Sequence, residues 1–558
     1  MATLNEKQQP SSPASATPRQ GSIEEGTLVD QASFDKKRQR PDGKIELTDE
    51  DVWDTHLGYT WPWWKKWGIL SVIFCVQVSM NLNASLYANA VTGLTDEFGI
   101  SAQAARVGQM IFLVSYAFGC ELWAPWSEEL GRWPILQLSL FFVNIWQIPC
   151  ALAPNYGTIV VCRFLGGISS AGGSVTLGMV ADMWEEHNQQ YAVAFIVLSS
   201  VGGSAVGPIF GGYVEQSLSW HWCFWLQLIA GAAVQFMHFF TPETRSSVLV
   251  TREAKRRRKA GETNLYSTEE LNGSALSVKS VLTIWTRPFI MFVREPIVLW
   301  LSLLSGFSDA LIFTFLEGFS PVFKQWDFNT GEIGLAFIPI MIGYFIAWFS
   351  FFPFIRSQIR KRERDGPDSL APEARLYWLL YLAPLEPIGL FGFAWTSQGP
   401  PTTHWIAPLL FSALIGIANY GIYMATIDYM IASYGPYSAS ATGGNGFARD
   451  FLAGIAAMYS TPMYSNIPGK PLEYASTILA CIGVLVVIPV YLFYWNGPTI
   501  RARSKFAMTL ASERHEHPHR PTTVGEKAHA DQIEHMEHAP APNEKAGTGA
   551  TVEHAEHA

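Results

Sequence analysis

Seven ionisable side chains interrupt stretches of this chain that are otherwise apolar: Arg163, Asp309, Glu317, Glu386, Asp428 and the adjacent pair Arg449-Asp450. Taking a carboxylate out of water disfavours its charged form. A carboxyl in such a setting can bind and release a proton, so each of the five acids is a candidate proton carrier. An arginine at the centre of a membrane helix costs at least ~2.5 kcal/mol on insertion scales and must face protein or a watery cavity. Arg449 needs a neutralising partner, and one of the acids is the expected one. Asp309 and Glu317 are eight residues apart, which on a helix is about two turns and about 80° of rotation. They are expected to address one cavity at two depths. Asn81, Asn83, Gln227 and Asn419 are candidates to line the same cavity, although each alone reads first as a helix–helix hydrogen bond. Tyr420 and other mid-stretch aromatics could hold flat or cationic solutes.

These residues need elements that carry them through an apolar medium. Only 15% of the 558 residues are charged, against about 25% in soluble proteins. Trp67 to Thr95, Trp133 to Cys162, Gln216 to Pro242 and Tyr474 to Ile500 contain no Asp, Glu, Lys or Arg. A membrane helix needs about 20 mostly apolar residues. Twelve such spans are expected, near 67–90, 106–125, 134–153, 158–181, 191–213, 221–241, 297–320, 331–355, 376–396, 405–427, 438–460 and 474–495. Six precede and six follow the polar stretch 244–294. Lys and Arg cluster before span 1 (Lys65, Lys66), in that stretch (Arg252 to Lys259), between spans 8 and 9 (Arg356 to Arg364) and after span 12 (Arg501, Arg503, Lys505). The positive-inside rule places those loops and both termini in the cytosol. The expected organisation is a disordered tail over 1–60, a six-helix half over 61–243, a cytosolic loop over 244–294, a second six-helix half over 295–500 and a disordered His-rich tail over 501–558.

An ordinary soluble protein is excluded. No G-x-S-x-G or G-x-x-x-x-G-K-[ST] pattern occurs, and the one H-E-x-x-H match, His515 to His519, lies in the polar tail outside every expected span, which argues against an intramembrane enzyme and against ATP-driven work by this chain. The six Cys fall in predicted spans and read as small buried apolar residues. The run His515-Glu516-His517-Pro518-His519 reads as solvated tail before it reads as a metal site. No cofactor, metal or nucleic acid is expected. The expected partners are the bilayer, protons and a small-molecule substrate, and the chain is expected to be a monomer.

Span 5 contains Gly203-Ser204-Ala205-Val206-Gly207-Pro208-Ile209-Phe210-Gly211-Gly212. Glycines four residues apart let a neighbouring helix approach closely, and Pro208 invites a bend. Between spans 2 and 3 lies Ala124-Pro125-Trp126-Ser127-Glu128-Glu129-Leu130-Gly131-Arg132, and span 4 carries Arg163-Phe164-Leu165-Gly166-Gly167. On these segments, residues 65–506 resemble the major facilitator superfamily, in its drug:proton antiporter branch of twelve-span fungal type. The resemblance implies an all-α membrane protein with twelve transmembrane helices in two pseudo-symmetric halves. It makes the span 5 pattern an antiporter signature and couples Arg163 to protonation. It also makes Glu128, Gly131 and Arg132 parts of a charged latch at the membrane edge. The function implied is proton-coupled export of small organic molecules such as drugs, polyamines or secondary metabolites, across the plasma membrane, with the vacuolar membrane as the alternative. A proton-linked uptake permease for sugars or organic acids, and a transporter-like solute receptor, are the alternatives.

Overall fold

Long apolar runs have one economical shape in hydrocarbon, a helix that satisfies its own backbone, and the chain is built from them. The computed structural model describes residues 43–47, 52, 57–170, 172–184, 186–262, 264–272, 278–366, 370–504 and 506–507. The His-rich run and most of the two expected tails lie outside these residues. Among the described residues, ten helices are long and apolar enough to cross a membrane. They include span 1 (Trp63–Phe98), span 2 (Ala102–Glu129), span 3 (Arg132–Ala151), span 6 (His221–Phe239), span 8 (Thr330–Asp365), span 9 (Pro372–Thr396), span 10 (Ile406–Tyr434) and span 12 (Pro471–Arg501). Span 5 is Glu186–Ser217 and span 7 is Pro296–Phe323. Two further helices complete the expected twelve. Span 4 is broken into Tyr156–Ile168 and Gly172–Met183. Span 11, Ser438–Asn466, is less apolar because Gly, Ser, Asn, Arg449 and Asp450 fall within it.

Spans 5 and 7 are each 78% buried over their most apolar stretch, whereas span 6 is 33% buried. The former are central and the latter is at the rim. Rim side chains such as Phe236 (67% exposed) and Leu485 (65% exposed) suit a lipid surface and would be unfavourable in water. The ends of the spans define two sides: a terminal side, where span 1 begins and span 12 ends, and a distal side opposite.

The expected boundaries hold to within a few residues for most spans, with local departures. Span 1 passes through a 3-10 stretch at Leu86–Ala90, and span 9 breaks near Pro384. The stretch expected as a loop holds the helix Val278–Arg294. Its Phe289 packs edge-on to Phe447 of span 11 (4.9 Å) and stacks with Phe118 of span 2 (5.9 Å).

A second compact unit takes its described residues from 43–52 and 246–272. The part of the chain expected as a structureless front tail contributes Ile45–Leu47, which pairs in parallel with Leu265–Ser267 (Ile45 with Leu265, Leu47 with Ser267). The helix Ser246–Ala260 joins this ribbon through Arg258, which bonds Glu270 at 2.8 and 2.9 Å, and through Thr251 Oγ1, 2.9 Å from Ser267 Oγ. Burial pushes the Glu270 carboxyl up. Arg258, the Ser267 N–H and Lys255 together outweigh it, and the group ends below the usual 4.5.

Candidate functional site

The span 5 motif sets the spacing of the central helices. A Cβ at Gly203 would lie 2.7 Å from Asn81 Cβ and 2.9 Å from the Val78 carbonyl. One at Gly207 would lie 2.7 Å from Ser85 Cβ, and one at Gly211 2.8 Å from Leu86 Cδ1. Positions 203, 207 and 211 thus form a groove that receives span 1. Gly212 turns to the other half of the molecule, where a Cβ would lie 2.6 Å from the Thr330 carbonyl and 3.2 Å from Gly334 Cα of span 8. The Pro208 carbonyl faces Gly334 too, and the helix continues through Pro208.

Midway through the molecule, spans 7 and 11 pack so closely that a Cβ at Gly306 would lie 2.9 Å from the Ala448 carbonyl. This approach brings Asp309, Arg449 and Asp450 together. Arg449 Nε is 3.8 Å from Asp309 Oδ2, and Nη2 is 3.6 Å from Asp450 Oδ1. The guanidinium lies 3.8 Å from the centre of the Tyr423 ring of span 10. Both ion pairs are longer than a hydrogen bond, and Arg449 Nε and Nη1 have no hydrogen-bond partner. Glu121 enters from span 2 in the opposite half. It is 5% exposed, within electrostatic reach of Asp450, and its Oε2 would be 2.6 Å from a Cβ at Gly443. Tyr116 lies near Arg449 and Asp450, and Tyr344 near Asp309. Two carboxyls therefore share one guanidinium where the halves meet, and a third, Glu121, stands near one of the two. Sequence reasoning missed Glu121, although it interrupts span 2 as Asp309 interrupts span 7.

The other candidates fall elsewhere. Glu386 is fully buried within the second half, neither carboxylate oxygen makes a hydrogen bond, and Ser308 is within electrostatic reach. Asn419 Nδ2 donates to Ser308 Oγ at 3.1 Å, tying span 10 to span 7 beside Asp309. Tyr420 ties the halves instead of lining a cavity, since its hydroxyl donates to the Ala194 carbonyl of span 5 at 2.8 Å. Asn81 turns back on its own helix, donating to the Gln77 carbonyl at 2.9 Å. Asn83 serves through its backbone: its carbonyl accepts from Arg163 Nη1 at 2.8 Å. Arg163 Nε donates to the Gly108 carbonyl at 3.2 Å, and the guanidinium lies 4.0 and 4.6 Å from the ring centres of Phe112 and Tyr87. Among the described residues no carboxylate pairs with it. Gln227 is buried, and neither amide atom has a partner.

Asp309 and Glu317 do not address one cavity, contrary to the expectation from helix geometry. Glu317 Oε2 binds Arg106 of span 2, at 2.7 Å from Nη2 and 2.8 Å from Nε, and accepts from Thr461 Oγ1 at 3.2 Å. This pair crosses between the halves at the foot of a distal vestibule of about 410 Å³ that Asp309 does not line. Arg106 was legible as a cation on the side poor in Lys and Arg, but its partner was not.

On the terminal side the expected latch is rearranged. Arg132 pairs with Asp182 at the end of span 4 (Nε to Oδ2, 3.0 Å) and donates to Ser127 Oγ at 2.7 Å; Glu128 is not among its partners. The physical reason is Gly131, whose φ of +104° turns the chain so that the Arg132 and Trp133 N–H groups reach Glu243, at 2.9 and 3.2 Å. That swings Arg132 over Gly178 toward span 4. The second half repeats the arrangement: Arg375, in the first turn of span 9, pairs with Asp428 near the end of span 10. Asp428 Oδ2 also accepts from Gln190 of span 5 at 2.9 Å. Asp428 thus belongs to a contact between halves at the membrane edge, away from the midplane acids. Both ends of the interface are bridged: the terminal side by Gln190–Asp428 and Tyr420–Ala194, the distal side by Arg106–Glu317 and by Gln103 Nε2 donating to the Met458 carbonyl at 2.6 Å.

Buried polar atoms without partners, in Gln77, Asn83, Gln109, Gln227, Glu386, Asn419, Asn445 and Arg449, concentrate in the spans. In hydrocarbon each such group costs several kcal/mol unless something satisfies it. The arrangement suits a passage that takes up water, protons or solute.

Comparisons with known proteins agree with this architecture. Residues 73–458 match the family model described as Major Facilitator Superfamily. The MFS-type transporter kojT of Aspergillus oryzae is 32% identical over 455 residues, covering 80% of this chain and 79% of that protein. The Ascochitine biosynthesis cluster MFS transporter of Didymella fabae is 29% identical over 457 residues (80% and 87% of the two chains). The multidrug transporter TPO1_2 of Candida glabrata is 29% identical over 475 residues (84% and 80%). Among solved structures, the partially occluded inward-open xylose transporter XylE from E. coli superposes with a TM-score of 0.52 at 17% identity, over 77% of this chain and 98% of that one. The twelve-span architecture, the family match and the extent of these likenesses lead to one assignment: the chain is a membrane transporter of fungal type and belongs to the major facilitator superfamily.

Proposed function

We propose that this transporter exports small organic molecules in exchange for protons, by rocking of its two halves about the midplane. The observation that carries the reading is the set Glu121, Asp309, Asp450 and Arg449, buried where spans 2, 7 and 11 meet. One guanidinium offsets one of three carboxyls, so the remainder suits protons or a cationic solute. Opening on the terminal side, by separating Gln190 from Asp428 and Tyr420 from Ala194, would present the acids to that compartment. Substrate binding would displace a proton there. Opening on the distal side, by parting Arg106 from Glu317, would release the substrate and admit a proton to restore the cycle. The Lys and Arg clusters of the terminal side support a cytosolic location for both termini and the 244–294 loop, in the plasma membrane. The transporter works as a monomer, since each half supplies part of the site. Relatives named for a biosynthesis cluster and for multidrug transport support an organic substrate.

The test uses proteoliposomes with an imposed pH gradient and labelled organic cations, neutral molecules, anions and sugars. Solute movement opposite to the proton gradient is expected, and Asp309→Asn or Asp450→Asn should abolish uphill movement. Movement in the same direction as protons would establish an uptake permease. Impermeant labelling of single Cys residues at positions 260 and 510 in intact cells should fail, and robust labelling at either position reverses the orientation.

A further inference from the structure

The distal vestibule contains polar groups whose demands the chain leaves unmet. Glu215, near the end of span 5, accepts from Asn89 Nδ2 and from Thr92 Oγ1, each at 3.0 Å. Both donors are neutral, and among the described residues no cation stands within ion-pair distance of this carboxylate. Asn89 Oδ1 and Glu317 Oε1, on two residues that line the same vestibule, have no hydrogen-bond partner. Facing them from the other half is Lys324, within electrostatic reach of Glu215 yet not paired with it. Arg106 is already neutralised by Glu317. The vestibule therefore has surplus acceptors and, among the described residues, one carboxylate with no cation at ion-pair distance, and its volume of about 410 Å³ falls in the range of small-molecule sites. A primary ammonium group brings one positive charge and three N–H donors.

We propose that the distal vestibule is an exit site for the primary ammonium group of an organic amine, held by Glu215, Asn89 and Glu317, with the ammonium of Lys324 as its internal competitor. An amine leaving the midplane acids then meets a second carboxylate before it reaches solvent. Lys324, within electrostatic reach of Glu215 without pairing with it, competes with the amine for that carboxylate. The direction of travel rests on the export reading above; the binding itself does not.

The test is calorimetric titration of the purified full-length transporter in nanodiscs with benzylammonium. Benzyl alcohol and benzyltrimethylammonium serve as isosteres that lack the charge and the N–H donors. Benzylammonium should bind at least about tenfold more tightly than either, the scale of one hydrogen bond to a charged group. Glu215→Gln should weaken its binding by about tenfold or more, and Asn89→Ala by less. Lys324→Gln should tighten it, a gain that misfolding does not produce. Binding that ignores both Glu215→Gln and Asn89→Ala overturns the proposal, as does equal binding of benzyltrimethylammonium. Weaker binding in Lys324→Gln overturns it in favour of a zwitterion site. Export is measured separately in proteoliposomes. Vestibule binding in a protein that moves no solute against protons sinks the export reading and leaves the site standing. Proton-driven export without benzylammonium binding does the reverse.

Discussion

The Arg106–Glu317 pair makes a quantitative prediction about how the distal side opens. The two side chains are 10% and 8% exposed, and two guanidinium nitrogens converge on one carboxylate oxygen at 2.7 and 2.8 Å. Glu317→Gln keeps an acceptor but removes the charge. Hydrogen bonds to charged groups contribute about 1.5–3 kcal/mol, and neutral ones about 0.5–1.5. Counting the two bonds non-additively, the closed distal state should lose about 2 kcal/mol, roughly a 30-fold shift toward the open state. Arg106 is then buried without a counter-charge, which pushes in the same direction. The assay is the rate at which an impermeant maleimide labels a Cys at Ala88, which lines the vestibule, with the native cysteines replaced. Labelling should accelerate by at least about tenfold in Glu317→Gln and in Arg106→Gln. The double variant should resemble either single one, because the same contact is lost once. Rates within about twofold of the parent in both single variants, or effects that simply add, would refute the gate.

Gly207→Leu should give an inserted protein without transport, because even a Cβ there lies 2.7 Å from Ser85 Cβ; Pro208→Ala tests the bend separately, and normal transport by either variant reduces the motif to ordinary packing. Asp428→Asn should loosen the halves on the terminal side, read as faster labelling of a Cys at Tyr191, whereas Asp182→Asn should leave that rate unchanged because neither of its partners, Arg132 in its own half and Arg245 just after it, belongs to the second half. Glu270 has a folded-state pKa below its ordinary 4.5, so its contribution is present above about pH 4.5 and is lost as pH falls through the lowered value; amide exchange over Leu265–Ser267, corrected for intrinsic rates, should speed up in acid, and Glu270→Gln should remove that dependence.

Helix number, placement and the terminal-side charge clusters were legible in the sequence because each is a one-dimensional property: a run of apolar residues, or a count of Lys and Arg. The span 5 glycines were legible for the same reason, since a spacing of four fixes a face whatever partner fills it. Partners were not legible. The 80° that separates Asp309 from Glu317 on an ideal helix is correct in angle, yet a different helix meets each residue. Span 11 presents Arg449 to Asp309, and span 2 presents Arg106 to Glu317. Glu121 and Glu215 went unread because their importance comes from what stands opposite, in each case a residue of the other half. The Arg132 contact was misjudged by proximity in sequence. Glu128 is four residues away and Asp182 is fifty, but the left-handed turn at Gly131 faces the side chain toward the latter.

The buried charges divide into two kinds, and the division bears on mechanism. Arg163 is held by two backbone carbonyls and two aromatic rings. None of these groups can lose or gain a proton near neutral pH, so the arginine's environment stays fixed through a cycle. Arg449 is held at 3.6 and 3.8 Å by carboxyls, each of which can change its charge. Protonating Asp450 would free Arg449 to close on Asp309, and protonating Asp309 would favour the opposite move. Glu121 sees Asp450 across the interface, so the charge on Asp450 also sets the repulsion between the halves. Under the proposed proton exchange, a site of this kind would convert the binding of one proton into a change in both the internal pairing of span 11 and the force between spans 2 and 11. Arg163 lacks that property, since nothing paired with it titrates. Coupling should therefore be lost when Asp309 and Asp450 are neutralised, whereas loss of Arg163 should act through the packing of spans 1, 2 and 4 around it.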